Sequence, residues 1–231
     1  MPHKEVARIA HPSHARNMAL RYAPTVYQYF QRWYDPLANL DAPDIGVESR
    51  EPETCPEIYY SARTDPVWTH IFYGFYHRRD CSHQHDFEGA QISIPKNGTL
   101  PCVVMARAHH CIDAWTVRMV GGGWEIDIEG DTHAIRPHRP RNATVLIYRP
   151  SSLILKNLHT NRSRYEKKIY ALGPVVTPPV EWNDARFTSP HRRAWLKKKL
   201  NTSSIVGLFW NDPGTMIEIY NQTKLINLKE L

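Results

Sequence analysis

Apolar and polar residues alternate with a period of two along much of this chain. Short segments rich in β-branched and aromatic residues recur, and turn formers such as Gly121-Gly122-Gly123 separate many of them. This alternation is typical of half-buried strands. It predicts strands at 22–30, 57–61, 67–77, 87–94, 102–108, 115–120, 124–128, 144–148 and 168–172. Many short strands at this spacing favour a mainly β protein, an antiparallel sandwich or barrel.

The clearest helical segment is residues 189–200. Ser189 suits the N-cap and Pro190 the first helical position, and the lysines at 197–199 fall in the last turn, where cations interact favourably with the helix dipole. Near the other end of the chain, we expect Pro12 to interrupt any amphipathic helix. No internal repeat or clear linker divides the sequence. We therefore predict one domain over residues 1–231, in which residues 1–20 can be a loosely attached segment.

The composition supports a folded core and limits the class of protein. With 42% apolar and 11% aromatic residues, a disordered chain is excluded. No apolar run approaches the ~20 residues that a transmembrane helix needs, and the first 20 residues lack the apolar core of a signal peptide. An excess of N-x-S/T sequons nevertheless points weakly to a secreted, glycosylated surface. These sequons are at Asn97, Asn142, Asn161, Asn201 and Asn221.

The charges are distributed unevenly. Fifteen Lys and Arg but only three Asp and Glu lie in residues 136–200, while acidic residues exceed basic ones in the rest of the chain. The two parts can neutralise each other within one fold, or the basic part can bind phosphate, anionic lipid or nucleic acid. In the latter interpretation the basic patch consists of Arg192, Arg193, Lys197, Lys198 and Lys199.

The cysteines do not identify a zinc ribbon, because none of them form a C-x-x-C pair. They are compatible with two disulfides or with reduced thiols. The four are Cys55, Cys81, Cys102 and Cys111. A less favoured alternative is a zinc site that combines Cys81, His83 and His85 with either His109 or Cys111.

One short stretch concentrates residue types that bind metals. On a strand, Asp86 and Glu88 would share one face while Phe87 points to the other, toward a core. Two carboxylates about 7 Å apart along a strand repel each other unless a cation or a shared proton offsets their charge. Upstream, His83 and Asp80 can fold back over the same spot. Three carboxylates and one imidazole favour Mg²⁺, Ca²⁺ or Mn²⁺ over Zn²⁺, and no catalytic nucleophile is implied.

The competing interpretation is that these acids form the solvated face of a strand, as alternating acids usually do. Two features of the sequence favour the metal site instead. Eight of the 13 histidines fall between residues 70 and 138, and four potential ligands fall within nine residues.

The same stretch resembles a known family. Residues 83–88, His-Gln-His-Asp-Phe-Glu, are similar to the G-H-R-H-D-W-E heptapeptide of the necrosis- and ethylene-inducing-peptide-like (NLP) cytolysins. As in that family, an aromatic Tyr-x-x-Tyr segment (73–76) and an Asp-bearing loop precede it. Four other segments loosely resemble segments of the family and occur in the same order along the chain: 22–27, 106–110, 130–134 and 182–200. Departures from the heptapeptide are Ser82, Gln84 and Phe87, and His110 stands where the family has Gly.

The resemblance implies a β-sandwich with a few flanking helices. It also implies a divalent cation, held by the residues matching Asp80, His83, Asp86 and Glu88, at the mouth of a pocket that recognises a membrane glycolipid headgroup. Further ligand-binding residues around the pocket would be His85, His109, His110 and His133.

Three functions are therefore compared. The first and preferred one is a metal-dependent, cytolysin-like protein that binds an anionic or glycosylated headgroup. The second is a hydrolase in which the same cation activates water, with His109 or His110 as general base. The third is a structural or nucleic-acid-associated role carried by the basic patch, which must weaken steeply with salt.

Overall fold

The computed structural model describes residues 8–9, 12–39, 55–64, 66–81, 84–98, 101–108, 111–119 and 123–157. These residues contain one α-helix, α1 (Pro12–Arg21), one 3₁₀ turn (Pro150–Ser152) and eleven strands. The strands are β1 (Arg8–Ile9), β2 (Thr25–Tyr29), β3 (Glu57–Thr64), β4 (Trp68–Arg79), β5 (Gln84–Pro95), β6 (Cys102–Ala108), β7 (Cys111–Val117), β8 (Glu125–Ile128), β9 (Ile135–Pro137), β10 (Val145–Tyr148) and β11 (Ile154–Asn157).

The strands form two sheets. The larger has the order β1-β3-β4-β5-β6-β7, with β11 also paired to β3, and the smaller has the order β10-β2-β8-β9. Most neighbours are antiparallel, but β11 runs parallel to β3 and β2 runs parallel to β8. Strands that are distant in sequence can pair in parallel because a long connection joins them. The predicted β-sandwich is confirmed, with two mixed sheets.

The period-two pattern located most of the strands. Each predicted strand from 22–30 to 144–148 overlaps an observed one, and the predicted 102–108 coincides with β6. The prediction missed β1, β9 and β11, which have two to four residues. The predicted strand at 168–172 and the predicted helix at 189–200 lie outside the described residues.

The first helix corrects the expectation for Pro12. This proline begins α1 instead of interrupting it, because Pro at the first helical position loses no hydrogen bond and has a suitable φ. Ala15 and Ala19 of α1 are buried in the core, and the Tyr73 hydroxyl donates to the carbonyl of Ala19 at 2.9 Å. The helix is therefore packed on the larger sheet.

The main core lies between the two sheets. Cross-strand neighbours Tyr73 and Ala90 lie on the inner face of the larger sheet, and the Tyr73 ring is 6.1 Å from the Trp124 ring beside the smaller one. Val26 and Ile126 of the smaller sheet are fully buried in the same cluster. Because side chains alternate along β5, the face that carries Ala90 also carries residues 88 and 86. The acids Asp86 and Glu88 therefore lie on the inner face. The prediction that Phe87 points toward the main core is wrong, because its side chain lies on the opposite face and is not part of this cluster.

The outer face of the hairpin formed by β4 and β5 depends on two opposed glycines. Gly74 and Gly89 are cross-strand partners, and the rings of Phe87 and Phe72 lie over them. A Cβ at Gly89 would be 2.2 Å from Phe72 Cε2, and one at Gly74 would be 2.2 Å from Phe87 Cζ. The absence of a side chain at both positions lets these rings pack directly on the backbone.

Replacing Gly89 with alanine is expected to lower the free energy of unfolding by about 1–3 kcal/mol, because the Phe72 ring is buried and has to be displaced. Urea unfolding measures this loss. Gly123→Ala is the matched control, since a Cβ there meets nothing within 4 Å. Equal losses in the two variants would contradict the packing described here.

Candidate metal centre

Asp86 and Glu88 of β5 point into the sandwich. Their cross-strand partners on β4 are His77 and Phe75, and directly opposed residues of an antiparallel pair share a face. Asp86 is 4% exposed and Glu88 is 3% exposed. The interpretation of these acids as a solvated strand face is therefore wrong.

A histidine from the smaller sheet contacts one of these acids. His133 lies in the turn between β8 and β9, where Asp131 and His133 itself adopt positive φ values of 71° and 52°. Its Nδ1 is 2.9 Å from Asp86 Oδ2, and its Nε2 is 3.3 Å from Asp35 Oδ1. His133 thus bridges a carboxylate of the larger sheet and one from the segment that follows β2.

Asp35 links the turn that carries His133 to the residues that follow β2. Its Oδ2 accepts hydrogen bonds from the backbone N–H groups of Gln31 (2.6 Å) and Arg32 (2.5 Å), and its Oδ1 accepts one from Asp131 N at 2.7 Å. Burial alone raises the pKa of Asp35, but the hydrogen bonds from His133 and the backbone outweigh it and lower the pKa. Asp35 is therefore ionised at neutral pH.

The charge state of His133 follows from its two partners. Burial alone lowers its pKa, but the hydrogen bonds and negative charges of Asp35 and Asp86 outweigh burial and raise the pKa to about 9. At neutral pH the ring is an imidazolium between two carboxylates. The proton on His133 thus supplies part of the positive charge that buried acids require.

A second buried histidine packs against the first. The His77 ring stacks on the His133 ring, with centroids 3.7 Å apart and planes at 8°. Its Nε2 is 3.0 Å from Gln28 Oε1, and within the described part of the chain its buried Nδ1 has no hydrogen-bond partner. Burial, followed by the charge of His133, lowers the pKa of His77 well below its ordinary value. His77 is therefore neutral beside the charged His133.

These side chains form a cluster with metal-ligand chemistry. One ligand atom from each of His77, Asp86 and His133 lies within 4.8 Å of the others. The two rings are stacked and His133 is protonated, so they cannot both ligate one ion in this arrangement. The carboxylates of Asp86 and Glu88 are the donors that suit a hard divalent cation, with an imidazole at its side.

Asp80 lies at the end of β4, close to the His133 turn. It is half-buried, and the N–H of the next residue, Cys81, donates to the carbonyl of Asp131 at 3.0 Å. That bond ties the Asp80 loop to the turn that carries His133. The rim beside it contains the half-buried Tyr34, whose hydroxyl donates to an Asp131 carboxylate oxygen, and the exposed guanidinium of Arg32, 3.6 Å from Asp131 Oδ1.

The other predicted residues divide into two groups. Four histidine side chains lie outside the described ones: His83, His85, His109 and His110. The general base of the hydrolase hypothesis and the predicted metal ligand His83 therefore stay predictions. The basic patch also lies outside them: Arg192, Arg193, Lys197, Lys198 and Lys199.

Three of the four cysteines can be described. Cys55, Cys81 and Cys102 are free thiols. Burial, followed by the charges of Asp80 and Asp131, raises the pKa of Cys81. The zinc alternative stays a prediction, because the side chains of His83, His85, His109 and Cys111 lie outside the described ones.

The sequence did not reveal Asp35, His77 and Gln28 as members of the cluster. His77 could have been found from hairpin register, because it lies opposite Asp86 once β4 and β5 are paired. Asp35 and Gln28 belong to the other sheet, and no local pattern connects them to residue 86.

Comparison with known proteins returns distant structural likenesses. No protein-family profile matches the chain, and no curated protein matches it. NLPPya in complex with glucosamine is 14% identical, with a TM-score of 0.44 over 72% of this chain and 95% of that one. Necrosis and ethylene inducing protein 2, from the causal agent of cocoa's witches' broom disease, is 15% identical, with a TM-score of 0.45 over 73% and 85%.

A third similar structure is described as a toxin fold for microbial attack and plant defense. It is 14% identical, with a TM-score of 0.44 over 88% of this chain and 97% of that one. The comparison thus returns the family that residues 83–88 resemble, as a distant likeness of fold. In the described residues, no helix has the length and apolar character needed to cross a membrane.

Proposed function

We propose that this protein binds a divalent cation at the inner-face carboxylates and uses it to recognise an anionic or glycosylated membrane headgroup. The observation that carries the proposal is the burial of Asp86 and Glu88 on one face of β5, with the imidazole of His133 2.9 Å from Asp86. Buried carboxylates are donors that suit a hard cation. Among the described residues, the ligand atoms within 4.8 Å of one another come from His77, Asp86 and His133, and Glu88 would join them.

The donor set favours Mg²⁺, Ca²⁺ or Mn²⁺. The oxygens of Asp86 and Glu88 are hard ligands, and the half-buried Asp80 would add a third carboxylate from the adjoining loop. His83 completes the predicted set. His133 would orient Asp86 from behind, as hydrogen-bonded neighbours of metal ligands do.

A cation at this position would reach a surface ligand through the rim beside Asp131. Arg32 and Tyr34 lie at the rim next to Asp131, and the Arg79 guanidinium lies 5.9 Å from the centre of the Tyr34 ring. Hard cations keep coordination positions for oxygen donors from outside the protein, which include sugar hydroxyls and phosphate. The guanidinium at the rim would favour the phosphate of an anionic headgroup.

Calorimetric titration with Ca²⁺, Mg²⁺ and Mn²⁺ tests the cation. One of these cations is expected to bind the wild type, and Asp86→Asn is expected to weaken its binding about 100-fold or more. Removing a metal ligand costs more affinity than removing a residue that only hydrogen-bonds to a ligand. Glu88→Gln is expected to act in the same direction. A cation at 100 times its dissociation constant should also stabilise the wild type by about 2.7 kcal/mol.

Glu57→Gln is the matched control. Glu57 is also a buried carboxylate of the larger sheet, but it bonds to Tyr59 and Lys156, outside the cluster. This variant is expected to keep wild-type metal binding. Equal heats in wild type and Asp86→Asn, or no heat in either, would remove the proposal.

Vesicle flotation tests the headgroup. Phosphatidylcholine vesicles that carry a glycosylceramide or phosphatidylinositol are expected to retain the protein with the cation and to release it with EDTA. Because two similar structures hold glucosamine or mannosamine, these amino sugars are the first soluble competitors. Retention that is unchanged by EDTA would separate membrane binding from the metal site.

A further inference from the structure

A second cleft lies at the other end of the smaller sheet. It has a volume of about 540 Å³ and is lined in part by Trp115, Arg118, Trp124, Glu125 and His138. Glu125 begins β8, whereas His133 follows the last residue of that strand. The cleft is thus separated from the metal cluster by the length of β8, and its volume is in the range of small-molecule sites.

The aromatic walls of the cleft are held in fixed positions. Trp124 is 3% exposed, and its indole N–H donates to the carbonyl of Tyr22 at 2.6 Å. The His138 ring stacks on the Tyr27 ring, with centroids 3.8 Å apart and planes at 15°, and its Nδ1 is 2.5 Å from Asp127 Oδ1. A site whose rings are already fixed loses little entropy when a ligand binds.

The polar groups of the cleft have both signs of charge. Glu125 and Arg118 are exposed, and Glu125 Oε1 accepts a hydrogen bond from the Tyr27 hydroxyl at 2.9 Å. Thr25 and Thr116 add two hydroxyl groups to the lining. A bound anion would meet the Glu125 carboxylate, and a bound quaternary ammonium would meet the Arg118 guanidinium. The lining therefore favours a neutral ligand with many donors and acceptors.

We propose that this cleft is a carbohydrate-binding site, independent of the cation site. A pyranose ring has an apolar C–H face that packs on an aromatic ring, and hydroxyls that both donate and accept hydrogen bonds. The half-buried Trp115 supplies the packing surface. Glu125 accepts from hydroxyls and Arg118 donates to them, so a neutral sugar satisfies both charged groups.

Saturation-transfer difference NMR and tryptophan fluorescence test the site in the presence of EDTA. The probes are cellobiose, chitobiose and mannobiose, with choline and inorganic phosphate as charged comparisons. At least one disaccharide is expected to bind the wild type, and choline and phosphate are not. Trp115→Ala is expected to weaken disaccharide binding about tenfold. Glu125→Gln replaces an exposed side chain without change of size, so it tests the site without endangering the fold, and it should also weaken binding.

Two controls separate this site from the metal centre. Trp33→Ala removes another half-buried tryptophan, next to Tyr34 at the metal end, and should leave disaccharide binding unchanged. Glu57→Gln, at a residue outside the lining of the cleft, should do the same. Absence of saturation transfer to all three disaccharides would overturn the proposal. The proposal would also be overturned if wild type and Glu125→Gln bound the disaccharide with equal affinity, or if only Trp33→Ala lost disaccharide binding. A preference for choline or phosphate over the disaccharides would overturn it as well.

Discussion

Replacing His133 with alanine is expected to lower the free energy of unfolding by about 3–5 kcal/mol, the cost of removing one partner from a buried ion pair. His133 bonds to Asp86 and to Asp35, and its side chain is fully buried. Its loss leaves both carboxylates in the protein interior without the imidazolium between them. Urea unfolding of the metal-free protein at pH 7 measures the effect.

His138→Ala is the matched control for this experiment. His138 also pairs with a buried carboxylate, that of Asp127, but its own side chain is partly exposed, and the N–H of Arg139 still bonds Asp127 at 2.9 Å after the substitution. Its loss is expected to cost about 1–2 kcal/mol. A smaller loss in His133→Ala than in His138→Ala would contradict the charge bridge.

Alkaline pH is expected to destabilise the metal-free protein through the same histidine. The pKa of His133 is raised from its ordinary value of 6.5 to about 9 in the folded protein. Its contribution is therefore complete below pH 6.5, declines between pH 6.5 and 9, and is lost above that. A displacement of this size corresponds to about 3 kcal/mol, because one pKa unit is worth 1.36 kcal/mol. Unfolding free energies at pH 6, 7.5 and 9.5 in EDTA measure it.

His133→Gln is the control for the pH dependence. The amide keeps polar atoms at this position but does not titrate, so the decline between pH 6.5 and 9 should be smaller by the His133 contribution. The same decline in wild type and variant would show that another group causes it. On the acid side, the lowered pKa of Asp35 has the opposite sign: its contribution is present above the ordinary pKa and is lost as the pH falls through the folded value.

Together these predictions separate two ways of compensating buried acids. In the metal-free protein the proton of His133 compensates Asp35 and Asp86, and a divalent cation at Asp86 and Glu88 would supply further positive charge. A proton on an imidazole is lost at high pH, whereas a divalent cation competes with protons and binds better as the pH rises. Cation addition should therefore restore most of the alkaline stability if the proposed site is correct.

The period-two pattern was sufficient for most of the fold because a strand with one buried face has to alternate. This alternation located β6 to the residue and predicted that Asp86 and Glu88 share a face. It assigned the interior to the Phe87 face, which is wrong for the main core, because both faces of the hairpin carry aromatic residues and alternation alone does not distinguish them. Pro12 illustrates a further limit, because a proline that interrupts a helix and one that begins it differ only in position.

The sequence by itself determined that this chain forms short strands and that two acids of one strand face the same way. Both results follow from local geometry, which repeats every two residues. Only the tertiary structure decided that this side is buried, and that His133 and Asp35 meet Asp86 there. These partners lie in the loops that follow β8 and β2 of the other sheet, 47 and 51 positions away along the chain. The packing of the two sheets brings them into contact with Asp86.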